Sequence, residues 1–277
     1  MTASTETSST PTMQTPRSEA DTGITFGRVL KSEWIKVTTV PSTIILIATS
    51  AVVMIGLALL FAWSLGLMAG EASPESAFAV PSSGLAFGQL LIASLAVVLI
   101  ASEWGTGMIR STMVAVPGRT QALVAKAAVI AAISFVVGFI SALVSYFVTQ
   151  PILEAQDLGF ALAEEGVFLS VVNSGTFLAL VALISMATGT LLRNTAGGIV
   201  TVVGVFFVLP VILQTLAGLA EWIADVARFL PGEAGLQMVA VTTPDGTLTR
   251  MEGGLTMAAW ALALLVLALV VTKQRDV

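Results

Sequence analysis

The chain has 277 residues, of which 56% are hydrophobic and only 10% charged, whereas soluble domains carry charge on about a quarter of their residues. Cysteine and histidine are both absent, which excludes a disulfide framework, thiolate metal sites and imidazole proton shuttling. The net charge of −5 matters less than the segregation of acids and bases along the chain.

Residues 1–22 are rich in Thr, Ser, Pro and Glu, with almost no large apolar side chain. Such a segment cannot bury enough surface to offset chain entropy, and a disordered cytoplasmic tail is expected. A secretory signal is not expected, because the first long apolar run begins only after residue 40. Over residues 23–41 the helical period gathers Phe26, Val29, Leu30, Trp34, Val37 and Val40 on one arc, with Arg28 and Lys31 opposite. This pattern predicts an interfacial amphipathic helix containing Glu33, Trp34 and Lys36, ended by Pro41 before the chain enters the bilayer. Glu33 falls at the centre of the apolar arc, where a lone carboxylate is unfavourable, so a cationic partner is expected. The expected pairing is Glu33 or Glu103 with Arg110 or Arg119, which would lock the amphipathic helix to the following cytoplasmic connection; the alternative is Glu33 with Lys36 alone, one turn away.

Six apolar runs follow, near 43–66, 84–102, 121–149, 167–191, 196–216 and 255–272, each near the roughly 20 residues that cross a hydrocarbon core. Residues 42–277 therefore read as one six-helix transmembrane domain. The basic residues Arg17, Arg28, Lys31, Lys36, Arg110, Arg119, Lys126, Arg193, Lys273 and Arg275 fall on alternate connections or their flanks. By the positive-inside rule both chain ends then lie in the cytoplasm. The remaining connections are acidic, with Arg228 and Arg250 as their cations. Between the fifth and sixth runs, Trp222, Ile223, Val226, Phe229 and Leu230 recur at helical spacing ahead of Pro231-Gly232, predicting an outer or re-entrant helix. The fold class expected is an all-α integral membrane protein.

No nucleophile elbow, zinc spacing or phosphate-cradling GxxxxGK[ST] loop occurs in the sequence. The chain is thus not expected to be an enzyme, to bind a metal or to hold a cofactor of its own. The spans carry essentially no ionisable residue at mid-membrane, which disfavours an ion-coupled carrier. Lys126 is expected to snorkel from the third span to the inner interface, the alternative being a substrate contact. Gln89, Asn173 and Gln214 are polar positions inside spans, read as interhelical hydrogen bonds or as lining of a pathway.

The connection after the second span reads Glu103-Trp104-Gly105-Thr106-Gly107-Met108-Ile109-Arg110 and continues through Pro117 and Arg119 to Lys126. In this order of acid, Gly-Thr, Arg, Pro, Arg and Lys the sequence resembles exporter-type ABC transporter permeases. Glu33-Trp34-Ile35-Lys36, the six-span plan and the stretch Leu230-Pro231-Gly232-Glu233-Ala234-Gly235 extend the likeness over residues 24–277. The resemblance implies a bacterial cytoplasmic-membrane subunit with a coupling helix between spans two and three. Glu103, Gly105, Thr106, Arg110, Pro117 and Arg119 would form that element and dock on a separate ABC ATPase, which supplies ATP and Mg²⁺ chemistry. A second permease chain, identical or related, would complete the unit in the lipid bilayer, with no role for nucleic acid. For Arg110 and Arg119 the alternative is simple positive-inside anchoring. The alternative functions are an ATP-independent secondary transporter or channel, and a non-transporting scaffold or sensor subunit.

Overall fold

The structure is a computed structural model that describes residues 25–67, 73–105, 107, 119–244 and 246–274. The expected N-terminal tail, together with Thr106, Arg110 and Pro117 of the expected coupling element, lies outside the described residues. Among those described, all regular structure is helical. Six helical stretches are long and apolar enough to cross a membrane: Pro41–Leu67, Pro74–Gly105, Thr120–Glu154, Val167–Leu192, Thr195–Leu219 and Arg250–Gln274. That number and composition make the chain a multi-pass membrane protein.

Helix α1 (Phe26–Thr39) closes on itself through back-bonding, with Thr38 Oγ1 donating to Trp34 O at 2.8 Å and Thr39 Oγ1 to Ile35 O at 2.7 Å. Val40 is extended, and Pro41 does not merely end α1 but opens α2 (Pro41–Leu67). At the first turn its missing N–H is no loss. The apolar arc of α1 divides in two. Val29 and Val37 are buried with Glu33, while Phe26, Trp34 and Val40 face outward. With apolar groups both buried against the bundle and exposed on the face away from it, α1 is not described by a single apolar arc.

After α3 (Pro74–Phe78), helix α4 (Leu85–Gly105) runs through the middle of the bundle. It packs on α6 (Val167–Leu192), which also contacts the long α5 (Arg119–Glu154) and the last helix, α11 (Arg250–Gln274). These two central spans bury over half of their apolar stretch, whereas the first, fifth and sixth spans leave most of theirs uncovered. Helices α5 and α6 meet at Gly138 and Gly175. A methyl on Gly138 would stand 2.6 Å from Ser174 O, and one on Gly175 2.7 Å from Phe135 O. In lipid, where apolar burial gives no drive to association, such backbone proximity supplies the dispersion contact that does.

The fifth span is not a uniform helix. It comprises α7 (Thr195–Val203), a π-helical turn over Gly204–Val208 and α8 (Leu209–Leu216). Pro210 cannot donate to the carbonyl of Phe206, and the wider turn lies directly before it. Two short helices follow, α9 (Glu221–Ala227) and α10 (Pro231–Val239). The sixth span starts at Arg250, about a turn before the apolar run. There Thr249 and Glu252 cap it reciprocally: Thr249 N donates to Glu252 Oε2 at 2.9 Å and Glu252 N to Thr249 Oγ1 at 3.3 Å.

Candidate functional site

One end of the bundle gathers the first amphipathic helix and the tips of the second, third and fourth spans. Glu33 and Lys36 stand one turn apart on α1, Glu103 two residues before the end of α4, and Lys126 two turns into α5. Their spacing in the sequence is up to 93 residues, yet the four side chains form a closed ring. Lys126 Nζ donates to Glu33 Oε2 at 2.6 Å and to Glu103 Oε1 at 2.8 Å. Lys36 Nζ donates to Glu33 Oε1 at 2.6 Å and reaches Glu103 Oε1 at 3.4 Å.

Each carboxylate thus bridges both ammonium groups. The side chains of Glu33, Lys126 and Glu103 are 2%, 6% and 8% exposed, and that of Lys36 is 33% exposed. At this burial any one of the three inner charges alone would be strongly unfavourable, so the ring is held as a set. Among the described side chains, lysines take both oxygens of Glu33: Lys36, the partner expected one turn away, and Lys126 from the third span. Of the two arginines expected as partners, Arg110 lies outside the described residues, and Arg119 supplies the first backbone residue of α5. Lys126 likewise does not snorkel outward. It stays inside because two carboxylates from separate helices converge on it, a better environment than a headgroup layer that its stem would have to bend to reach.

Electrostatics in α1 follow from this geometry. Burial works against the charged form of Glu33, but the charge and hydrogen bond of Lys126, joined by those of Lys36, outweigh it and hold the carboxyl below its ordinary value. Burial similarly opposes the ammonium of Lys36, and its hydrogen bond to Glu33 with the charge of Glu103 raises it above its ordinary value. Both groups remain ionised across the neutral range. The second oxygen of Glu103, Oε2, is buried and accepts no hydrogen bond among the described residues.

Beside the ring, Arg193 places its guanidinium 3.9 Å from the centroid of Trp104. Arg193 ends α6 in a left-handed conformation, φ 51°, with its N–H bonded to Gly189 O. Glycine is the usual residue there. An arginine accepts the conformation because it aims the guanidinium onto the indole face, a contact worth about 0.5–2 kcal/mol. Trp34, by contrast, is exposed on the outer side of α1, and Gly105 closes α4.

The three polar span residues are scattered. Gln89 is buried in α4, with its Oε1 accepting nothing among the described residues. Asn173 Nδ2 donates to Met238 O at 2.7 Å, and Gln214 Nε2 to Glu233 Oε1 at 2.9 Å, at the end of the bundle opposite the charge ring. Asn173 has neighbours of the same kind that the sequence reading passed over. Ser170 Oγ donates to Val239 O, and Arg250 donates to Ala240 O and Val241 O at 2.9 Å. Three side chains from two spans therefore take four successive carbonyls, Met238 and Val239 in the last turn of α10 and Ala240 and Val241 just beyond it, groups that a helix end leaves in need of partners. The signal for this was present as a Ser and an Asn three residues apart on one face of α6, but nothing local identifies their acceptor.

No protein-family model matches the chain, and no curated protein matches it.

Proposed function

We propose that this chain is the membrane-spanning permease subunit of an ATP-binding cassette exporter, driven by ATP hydrolysed on a separate ATPase subunit. The observation that carries the reading is the buried ring of Glu33, Lys36, Glu103 and Lys126. It ties the amphipathic helix to the two span ends that flank residues 106–118, the segment that would meet an ATPase. A motion delivered to that segment then reaches α1, α4 and α5 together. An element that transmits force needs such a stiff anchor, because a loose one would dissipate the motion in side-chain rearrangement.

The same end carries Arg28, Lys31 and Lys36 on α1, Arg193 after α6 and Lys273 in the last turn of α11. This basic content supports a cytoplasmic placement of that end, with the acidic connections outside. A partner permease chain, identical or related, would complete a twelve-span unit, and substrate would move outward along their shared surface. The chain itself would hold no nucleotide.

The test is recovery of the tagged full chain from its native membranes under mild detergent. A Walker-type ATPase is expected to co-purify, and its hydrolysis to drive efflux from reconstituted vesicles. Recovery of the chain without an ATPase, with transport or signalling intact, overturns the reading.

A further inference from the structure

At the end of the bundle opposite the charge ring, helices α8, α9 and α10 and residues 246–248 line an open cavity of about 300 Å³. Its floor is Glu233, in the first turn of α10 behind Pro231. Gln214 Nε2 occupies Oε1 of this carboxylate at 2.9 Å, and among the described residues Oε2 has no partner. The other charged lining residues, Asp225 and Arg228, pair with one another at 3.3 Å. The described lining thus carries one carboxylate in excess, in a space also lined by Ala217, Ala224 and Leu248.

We propose that this cavity is a binding site for a small organic ammonium cation. A single carboxylate oxygen suits a point donor rather than the two-pronged fork of a guanidinium, because Gln214 already fills the neighbouring oxygen. A bare divalent metal is a poorer occupant, since it asks for several oxygen ligands, and Asp225 is committed to Arg228. The alanine and leucine walls match a short hydrocarbon or aromatic arm, and the volume is that of the smaller ligand pockets. Burial pushes the Glu233 carboxyl above its ordinary value, against the hydrogen bond from Gln214. A cation seated on Oε2 relieves that penalty directly. The site needs neither the ATPase nor a second chain, so its failure would leave the permease reading standing.

The experiment is calorimetric titration of the full chain in nanodiscs at neutral pH with benzylammonium, alongside its uncharged near-isostere benzyl alcohol. Saturable binding of the cation and none of the isostere are expected. Glu233→Gln should weaken the cation at least tenfold with its melting temperature and elution volume unchanged, and Arg228→Gln should tighten it. Equal uptake of the two probes, absence of saturable binding, or full affinity in Glu233→Gln overturns the proposal. Should Glu233→Gln fail to fold, Ala224→Trp, which fills the cavity from an exposed wall, decides the matter. Lost binding supports the site and retained binding sinks it.

Discussion

Lys126 is the residue whose surroundings differ most from its reading in sequence. Seven positions into an otherwise apolar helix, it has the spacing of a snorkelling lysine, and only the convergence of α1 and α4 shows that its ammonium is satisfied inside. Replacing it with methionine leaves two buried carboxylates facing each other, a defect of about 3–5 kcal/mol. A large fall in melting temperature is therefore expected for Lys126→Met. The triple variant with Glu33→Gln and Glu103→Gln should recover much of it, because neutral amides need no counter-ion. Lys36→Met should have a smaller effect, about 1 kcal/mol or less, since that lysine is partly solvated. Thermal unfolding in one detergent ranks the three.

The pH response of the ring also belongs to this scale. Glu33 is depressed, so its contribution is present above its ordinary value of 4.5 and is lost as the pH falls through the lower folded value. Lys36 is raised, so its contribution is complete below 10.5 and is lost as the pH climbs through the higher folded value. Attachment of α1 should consequently be flat across the neutral range and fail toward both extremes. The chain contains no cysteine, so a single Val37→Cys reports α1 lifting from the bundle as an increase in maleimide labelling. A change in labelling between pH 6 and 8 beyond that of the same cysteine in the denatured chain, which carries the thiol's own pH dependence, would contradict this.

At the scale of elements, the spans were the most legible part of the fold. An apolar run of span length has few alternatives in a chain with so little charge, and each of the six runs lies inside one of the six helical stretches; most ends agree to within a few residues, but the second stretch already starts at Pro74, the third runs on to Glu154, and the last start is a further exception. That last exception has a local cause in the Thr249-Glu252 cap, a four-residue signal that hydropathy averaging does not register. The π turn at Gly204–Val208 was not legible either, because one extra residue shifts the apolar period without interrupting it. The short helix before the sixth span was anticipated over residues 221–230. What holds its successor α10 in place was not, because Ser170, Asn173 and Arg250 act across 9 to 69 positions of sequence. Arg250→Met removes charge-assisted bonds to two carbonyls, a loss of about 1.5–3 kcal/mol. Faster amide exchange confined to residues 236–241 is the expected signature. Exchange spread evenly over the bundle would instead assign Arg250 a global role.

For the whole molecule, stability rests on how closely the central helices approach. Gly138 and Gly175 set the distance between α5 and α6, and even one methyl at Gly138 would have to displace the backbone of the neighbouring span. Gly138→Ala should lower stability by about 1–3 kcal/mol, read as a drop in melting temperature, with Gly56→Ala as a control because its added methyl meets nothing. This contact was invisible in the sequence, where each span carries at least one glycine and nothing marks which two will meet. Pairwise approach is a property of two helices, and neither helix carries it alone.

The ring of Glu33, Lys36, Glu103 and Lys126 contains two negative and two positive charges. Each elementary charge displaced through the full membrane potential exchanges about 2.3 kcal/mol per 100 mV with the field. A rearrangement that carries all four together displaces no net charge. The ring itself can therefore shift in depth without doing electrical work, and any response of this end to the membrane potential falls to the cations outside the ring, Arg28, Lys31, Arg193 and Lys273.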